Sequence, residues 1–575
     1  MTSSALVYFG GEGCGNGVRL ERGVVCAMPD GVRLVSDHYY PAEPGPHPTL
    51  LMRQPYGRDI ASTVVYAHPV WFARHGYNVV IQDVRGRGGS EGEFYPFRHE
   101  RADGAATIEW LRTRPESNGR IGMYGFSYQG VTQFLAAAAQ PEGLVAIAPC
   151  MAAADLYNGW FYHNGALRLA TSLAWGLQML KMDARSLGRR EASDRLEKAW
   201  GDIRSQFGVL PFREHLALQS PGLPSYVLDW FDHDHPGEYW EALDITGCLD
   251  RINVPALHIS GWFDLYLKGT IDGFRVLREK AASTLARDHQ YLIAGPWLHI
   301  PWGDQIGEVN FGPEALLDID AILLRWFNHW LKDSGEFARE PRIRHFALFE
   351  NRWHRAEEWP SGKQKKLYLR SHGRANSCKG DGALTAVSPA ADEPCDVFVY
   401  DPEVPVLAPG GPGALGGSYN QATLELGNNV LVYTTEPLHE AVSIFGSPQL
   451  ILYCAASAKT TDFTGKLVRV RSDGRADFVS IGVARSDFLF LDAFTPDAIH
   501  RWEFELEPTS CRFDAGDRIR LEIASSAFPL YDRNPGSSVP SPLATSWDWT
   551  RSTQFVYHDA GRPSALHLPL RDEMA

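Results

Sequence analysis

Little in this sequence would tie it to a membrane, a metal or a nucleic acid. Near the N-terminus the one apolar stretch, Ala5 to Phe9, has no basic residue before it and is too short for a signal peptide or a membrane span. Residues 1–20 therefore read as a frayed leader. Cysteine is scarce: eight in 575 residues, scattered from Cys14 to Cys511 with no Cys-x-x-Cys pair. That spacing gives neither a disulfide framework nor a paired-thiol zinc site, and it fits reduced thiols in a cytoplasm. Positive charge is in deficit, 55 Lys and Arg against 69 Asp and Glu, for a formal net charge of -14. A general nucleic-acid binder needs concentrated Lys and Arg for phosphate contacts, so that class is excluded. Internal repeats, heptad tracts and low-complexity tails are also missing; Pro409-Gly410-Gly411-Pro412-Gly413 is short enough to be a loop.

What is present is a globular composition, 44% hydrophobic and 22% charged, in a chain too long for one ordinary domain. Two or three domains are expected, and a homo-oligomer is compatible with all of this. From Gly23 to Tyr40 the residues alternate around Pro29-Asp30-Gly31, a hairpin at a sheet edge. Short apolar runs at 49–54, 77–83, 121–124 and 144–148 then alternate with helix-like segments such as 102–112, the pattern of an α/β sheet covered on both faces. From Asp155 to about Gly247 the strand signal gives way to helical, aromatic sequence with Trp160, Phe161, Trp175, Trp200, Trp230, Phe231 and Trp240. This reads as an inserted helical cap. Strands return at 254–259 and 290–294. An amphipathic helix follows, with Leu323, Trp326, Phe327 and Trp330 on one face and Gly335 near its end, and it should close the α/β domain.

Beyond Trp359-Pro360-Ser361-Gly362 the period changes to two: Trp502, Phe504 and Leu506 alternate with charged residues, as do Ile519, Leu521 and Ile523. The expected fold is thus α/β: an α/β-hydrolase core from 1–154 and 248–362, a helical cap from 155–247, and a C-terminal jelly-roll β-sandwich from 363–575.

The core is organised around Gly125-Phe126-Ser127-Tyr128-Gln129-Gly130, between a strand-like run and an alanine-rich helix-like run. Glycines two positions either side of a serine permit a sharp turn that lifts the hydroxyl out of the sheet. Ser127 is the candidate nucleophile. The following helix start offers the Tyr128 N–H as an oxyanion donor. A serine needs a base, and the base a carboxylate; in this fold the order is Ser, then Asp or Glu, then His, each just after a strand. Asp264 and His299 fall at those places. His258 lies within a strand and His289 before one, Asp250 and Asp272 suit helix ends, and none of the four fits as well. For the second oxyanion donor, Tyr56 follows the strand ending at Gln54, although the residues alone favour a packed aromatic there.

Two other motifs lead nowhere. Arg85-Gly86-Arg87-Gly88-Gly89 lacks the Gly-x-Gly-x-x-Gly spacing and reads as a turn after a strand. In Asp232-His233-Asp234-His235 adjacent side chains do not converge on one ion, so a polar helix end is the better account. The chemistry needs no metal or cofactor.

Several further strings carry a resemblance: Met28-Pro29-Asp30-Gly31-Val32-Arg33-Leu34, Gln82-Asp83-Val84-Arg85-Gly86, Ser90-Glu91-Gly92-Glu93-Phe94, Gly261-Trp262-Phe263-Asp264, Gly295-Pro296-Trp297 and Thr461-Asp462-Phe463-Thr464. With the Ser127 turn they make the chain, from about Gly23 to its end, resemble the bacterial cocaine esterase family, whose relatives include α-amino acid ester hydrolases and X-Pro dipeptidyl acyl-aminopeptidases. The resemblance implies a Ser127, Asp264, His299 triad, an oxyanion hole from the Tyr56 hydroxyl and the Tyr128 N–H, and three domains. Amino ester hydrolases carry acidic residues after the triad Asp, where this chain has Leu265, Tyr266 and Leu267. Burying an unpaired ammonium beside them would be costly. The expected activity is a serine esterase for small-molecule carboxylic esters with aromatic or apolar acyl groups, the pocket walls being Tyr266 with Trp160, Phe161 and Trp175. An amidase, X-Pro peptidase or acyl transferase would use the same triad, and a carbohydrate-binding protein with an inactive core is the rival from another class.

Overall fold

The computed structural model describes residues 17–59, 65–243, 245–300, 302–390, 392–412 and 416–571. Most of the expected leader lies outside them, but strand β1 (Val18–Ala27) already begins within it. β1 pairs antiparallel with β2 (Arg33–Pro41) around the turn at Asp30-Gly31, as a hairpin at the sheet edge. Next come β3 (His47–Gln54), β4 (Asn78–Asp83), β5 (Ser117–Phe126), β6 (Leu144–Cys150), β7 (Ala256–Phe263), β8 (Gln290–Leu298), β9 (Ile343–Ala347) and β10 (Arg352–Ala356). They form one ten-stranded sheet in the order β1-β2-β4-β3-β5-β6-β7-β8-β9-β10, parallel from β4 to β9.

Period-two alternation inside these buried strands decides which helices each face receives. Leu51, Met123 and Ile147 join one apolar cluster with α2 (Glu100–Arg112) and α3 (Tyr128–Ala138). Leu50, Met52, Tyr124 and Ala146 join the other, with Phe72 of α1 (Pro69–Arg74) and with Leu323, Trp326 and Phe327 of the helix Ile319–Lys332. That last helix does not close the sheet: β9 and β10 follow it. β9 is buried but carries Arg344 and His345, and β10 is partly exposed with three charged or His residues around Trp353, so the apolar signal that betrays the other strands is weak.

Between β6 and β7 stand the cap helices, among them α4 (Leu169–Ser186), α5 (Arg190–Gly201) and α6 (Ile203–Gln206). The cap has no core of its own, because Leu173, Leu177, Trp230 and Trp240 belong to the same apolar cluster as α2 and α3. A buried ion pair, Arg87 to Asp183 at 3.1 Å, also joins core to cap. From Gln364 to Pro569 the chain is β-rich, most strands lying in an eleven-stranded sheet. The alternation expected around Trp502 and Ile519 appears there as His500–Glu505 and Arg518–Ala524. Among the described residues no helix is long and apolar enough to cross a membrane.

Candidate active site

Each candidate residue follows the C-terminal end of a parallel strand, the edge at which such sheets bind ligands. Ser127 succeeds β5 and caps α3 with φ 60° and ψ −129°. A non-glycine residue in that conformation stores of order 1–3 kcal/mol of strain, so its surroundings must hold it. They do so closely. A Cβ on Gly125 would lie 2.5 Å from the Cβ of Gln129, and one on Gly130 2.4 Å from the Cβ of Ala152. The Ser127 N–H donates to the Cys150 carbonyl at 2.9 Å, and the Phe126 N–H to Gln129 Oε1 at 3.1 Å.

His299, directly after β8, places Nε2 3.0 Å from Ser127 Oγ and Nδ1 2.7 Å from Oδ1 of Asp264, directly after β7. An ionised Asp264 can only accept, so the Nδ1 proton faces it and Nε2 is left to take the serine proton. Asp264 is fully buried, and its other oxygen accepts from the Ser260 hydroxyl at 3.3 Å. Phe126 and the edge of Tyr266 flank the imidazole, at ring-centroid distances of 5.7 and 5.0 Å.

Tyr128 and Tyr56 are the donors that the sequence leads one to expect beside the serine. Tyr128 carries the first N–H of α3, which no carbonyl of its own helix can reach. Its side chain points away and anchors the turn: the hydroxyl donates to Glu100 at 2.8 Å and the ring stacks on Phe97 at 4.7 Å. Tyr56 is the other expected donor. Its hydroxyl accepts from Trp175 Nε1 at 3.2 Å and lines the same cavity as Ser127, and burial pushes the phenol up to about 12. It is therefore protonated throughout the neutral range.

These groups open into a cavity of about 560 Å³. Thr171, Ala174, Trp175, Gln178 and Met182 of α4 form one wall, Trp200, Ile203 and Phe207 another, and Leu265, Tyr266 and Ile300 complete it beside the triad. Among the described residues no Asp or Glu lines it. Trp175 and Tyr266 thus stand where the sequence suggests. Trp160 and Phe161 do not. Trp160 lies behind Tyr266 with the rings stacked at 3.8 Å, and Phe161 is fully buried between Trp230 and Trp240 at 4.3 and 5.3 Å. The π-helical turn at Tyr157–Phe161 turns both rings into the apolar cluster that the cap shares with α2 and α3. The α4 wall follows an i, i+3, i+4, i+7, i+11 stripe, a spacing that marks one helix face in the sequence itself. Trp200, Ile203 and Phe207 come together with it only through tertiary folding. A second cleft, of about 550 Å³ between Val18 and Glu116, is lined by no serine or cysteine.

The competing residues are occupied elsewhere. His258 is buried with Nε2 on Gln290 at 2.9 Å, burial holding its imidazole down at about 4. His289 lies beside Arg342, Asp272 pairs with Lys268, and Asp250 is exposed. Arg85 forms ion pairs with Asp103 and Asp30. Asp232 pairs with Arg213, and among the described residues no group of three His, Cys, Asp or Glu could hold a metal ion.

A nucleophile at a strand-to-helix elbow, with its carboxylate and histidine after later strands of such a sheet, defines a serine hydrolase of the α/β-hydrolase fold. Comparison with known proteins narrows the class. Residues 30–301 match the model of the X-Pro dipeptidyl-peptidase (S15) family, and residues 335–567 that of the X-Pro dipeptidyl-peptidase C-terminal non-catalytic domain. The chain is 32% identical to the cocaine esterase of Rhodococcus sp. (strain MB1 Bresler) over 573 residues, 95% of this chain and 98% of that one. It belongs to the bacterial cocaine esterase family. Among solved structures, an α-amino acid ester hydrolase superposes with a TM-score of 0.78 at 25% identity, covering 96% of this chain and 97% of its own. An aminopeptidase from a marine sediment Thaumarchaeota archaeon shares the fold, with a TM-score of 0.79 at 24% identity over 96% of each chain.

Proposed function

We propose that the protein is a serine esterase that cleaves carboxylic esters with aromatic or apolar acyl groups through an acyl-enzyme. The observation that carries this reading is the Asp264–His299–Ser127 hydrogen-bond chain opening into an apolar cavity lined, among the described residues, by no carboxylate. Ser127 attacks the ester carbonyl as its proton passes to His299 Nε2, while Asp264 stabilises the imidazolium. The Tyr56 hydroxyl and Tyr128 N–H receive the oxyanion. His299 then protonates the leaving alcohol, and water activated by the same imidazole releases the acid. His299 passes the serine proton to the leaving alcohol and later the water proton back to Ser127. A cytoplasmic location belongs to the same proposal, is supported by the cysteine pattern, and is tested by cell fractionation.

Cavity composition favours neutral acyl groups. Apolar surface gains about 25 cal/mol for each Å² removed from water, whereas an α-ammonium would lose hydration with no carboxylate to meet it. The test is an organophosphonate label followed by a substrate panel. Labelling is expected at Ser127, with kcat/KM for benzoyl or phenylacetyl esters about tenfold or more above those of the α-amino phenylacetyl ester, the matching amide and an X-Pro anilide. Labelling at another serine would overturn the site. Faster turnover of the amide or anilide would make the protein a peptidase or amidase instead.

A further inference from the structure

A phenol has one proton, and Tyr56 serves an oxyanion only if that proton is aimed at the substrate. The O–H of tyrosine lies near the ring plane in one of two orientations, and nothing in the side chain itself selects between them. We infer that Trp175, expected from sequence to be a wall of the acyl pocket, is a positioning residue for the oxyanion hole, its indole N–H fixing the direction in which Tyr56 donates. Indole N–H is a donor only. Placed 3.2 Å from the Tyr56 oxygen, it occupies one lone pair and makes that side unavailable to the phenol proton. The proton is left to the other side, and Tyr56 lines the same cavity as Ser127 and His299.

The hydrogen bonds then run in one direction. Trp175 donates to Tyr56 and leaves the phenol proton free for the substrate, while Ser127 donates to His299 Nε2 and His299 Nδ1 to Asp264. When the serine attacks, Tyr56 donates its hydrogen bond to the new oxyanion without the hydroxyl rotating. A donated bond also polarises the phenol and makes it a stronger donor.

Trp175 is itself held against movement. Its ring stacks parallel on Trp230, 8° from coplanar at 5.3 Å, and meets Trp160 edge-on at 5.5 Å. The first turn of α4 is fastened to the C-terminal domain. The Leu167 N–H donates to Asp532 and the Asp532 N–H to the Leu167 carbonyl, both at 2.9 Å; the Ala170 N–H reaches the Pro529 carbonyl at 3.0 Å; Arg168 pairs with Glu507 at 2.6 Å in the interior. The C-terminal domain thereby sets the height of α4, and with it the point from which Trp175 donates.

This inference rests on the esterase reading, in which Tyr56 is an oxyanion donor, and a double-mutant cycle separates the two. Trp175 is replaced by Phe and, to keep the ring's size, by β-(3-benzothienyl)alanine, which puts sulfur where the N–H was. Each is made in the wild-type and Tyr56→Phe backgrounds and assayed on a phenylacetyl aryl ester. Tyr56→Phe alone should lower kcat by roughly 10² to 10³ with little change in KM. The benzothienyl variant should lower kcat about tenfold, again with little change in KM, and should cost nothing further in the Tyr56→Phe background. If Tyr56→Phe keeps wild-type kcat, the oxyanion assignment fails and the inference with it. If Tyr56→Phe is impaired and the benzothienyl variant either keeps full kcat, raises only KM, or adds its full loss to that of Tyr56→Phe, Trp175 is a pocket wall alone. The Trp175→Phe variant reports the separate effect of a smaller ring on KM.

Discussion

At the scale of single residues the site is a set of distances that close only when every member is present. Ser127 and His299 act on one proton, so removing either should cost nearly as much as removing both. Ser127→Ala and His299→Ala should each lower kcat by about 10⁶, and the double variant should lose little more. Single-turnover kinetics on an activated ester measures this, and near-additive losses would mean that the two do not share a step. The triad was legible because each member follows an apolar run ending at the same sheet edge. The direction of ring side chains was not. Trp160, Phe161 and Trp175 belong to one aromatic segment, yet only Trp175 reaches the cavity. The turn at Tyr157–Phe161 decides that, and no periodicity announces it.

Among the elements, the elbow is the most constrained. A methyl group at residue 130 would meet the Ala152 Cβ at 2.4 Å and the Cys150 carbonyl oxygen at 3.1 Å, both on the segment that also holds the Ser127 N–H. Gly130→Ala should destabilise the protein by about 1–3 kcal/mol, the usual result of overpacking, and lower kcat by displacing the serine. Gly201→Ala, at the end of α5 with nothing within 4 Å of an added Cβ, is the control and should leave activity unchanged. Calorimetric melting of the two variants compares them directly, and an unshifted Tm for Gly130→Ala would show that the β6 segment yields. The parallel strands and α2 were legible within a few residues, since burial on both faces leaves short apolar runs. β10 escaped because a half-covered sheet edge tolerates charge, and β9 because Arg344 and His345 interrupt its short buried run.

In the whole molecule the three parts share their interiors, and the C-terminal domain reaches the site through the start of α4. That domain also buries charge of its own. Glu425 is almost fully buried, paired with Arg520, and close to Glu522, which Lys466 holds at 2.8 Å. Burial, reinforced by the neighbouring Glu522, pushes the Glu425 carboxyl up to about 7, against an ordinary 4.5, while Arg520 and Lys466 pull it down. An acid whose pKa is higher folded than unfolded holds its proton more tightly in the native state. Its contribution to stability is complete below about pH 4.5 and is lost as pH rises through about 7. Glu425→Gln retains an oxygen for Arg520 and removes the titration, so its Tm should fall less than the wild type's between pH 5 and pH 8. The difference corresponds to about 1–3 kcal/mol, the span expected for a shift of this size. Because a chain of several domains need not unfold in one step, the comparison is made on the calorimetric transition that carries the C-terminal domain. Equal pH dependence in the two proteins would show that Arg520 and Lys466 keep Glu425 ionised across that range.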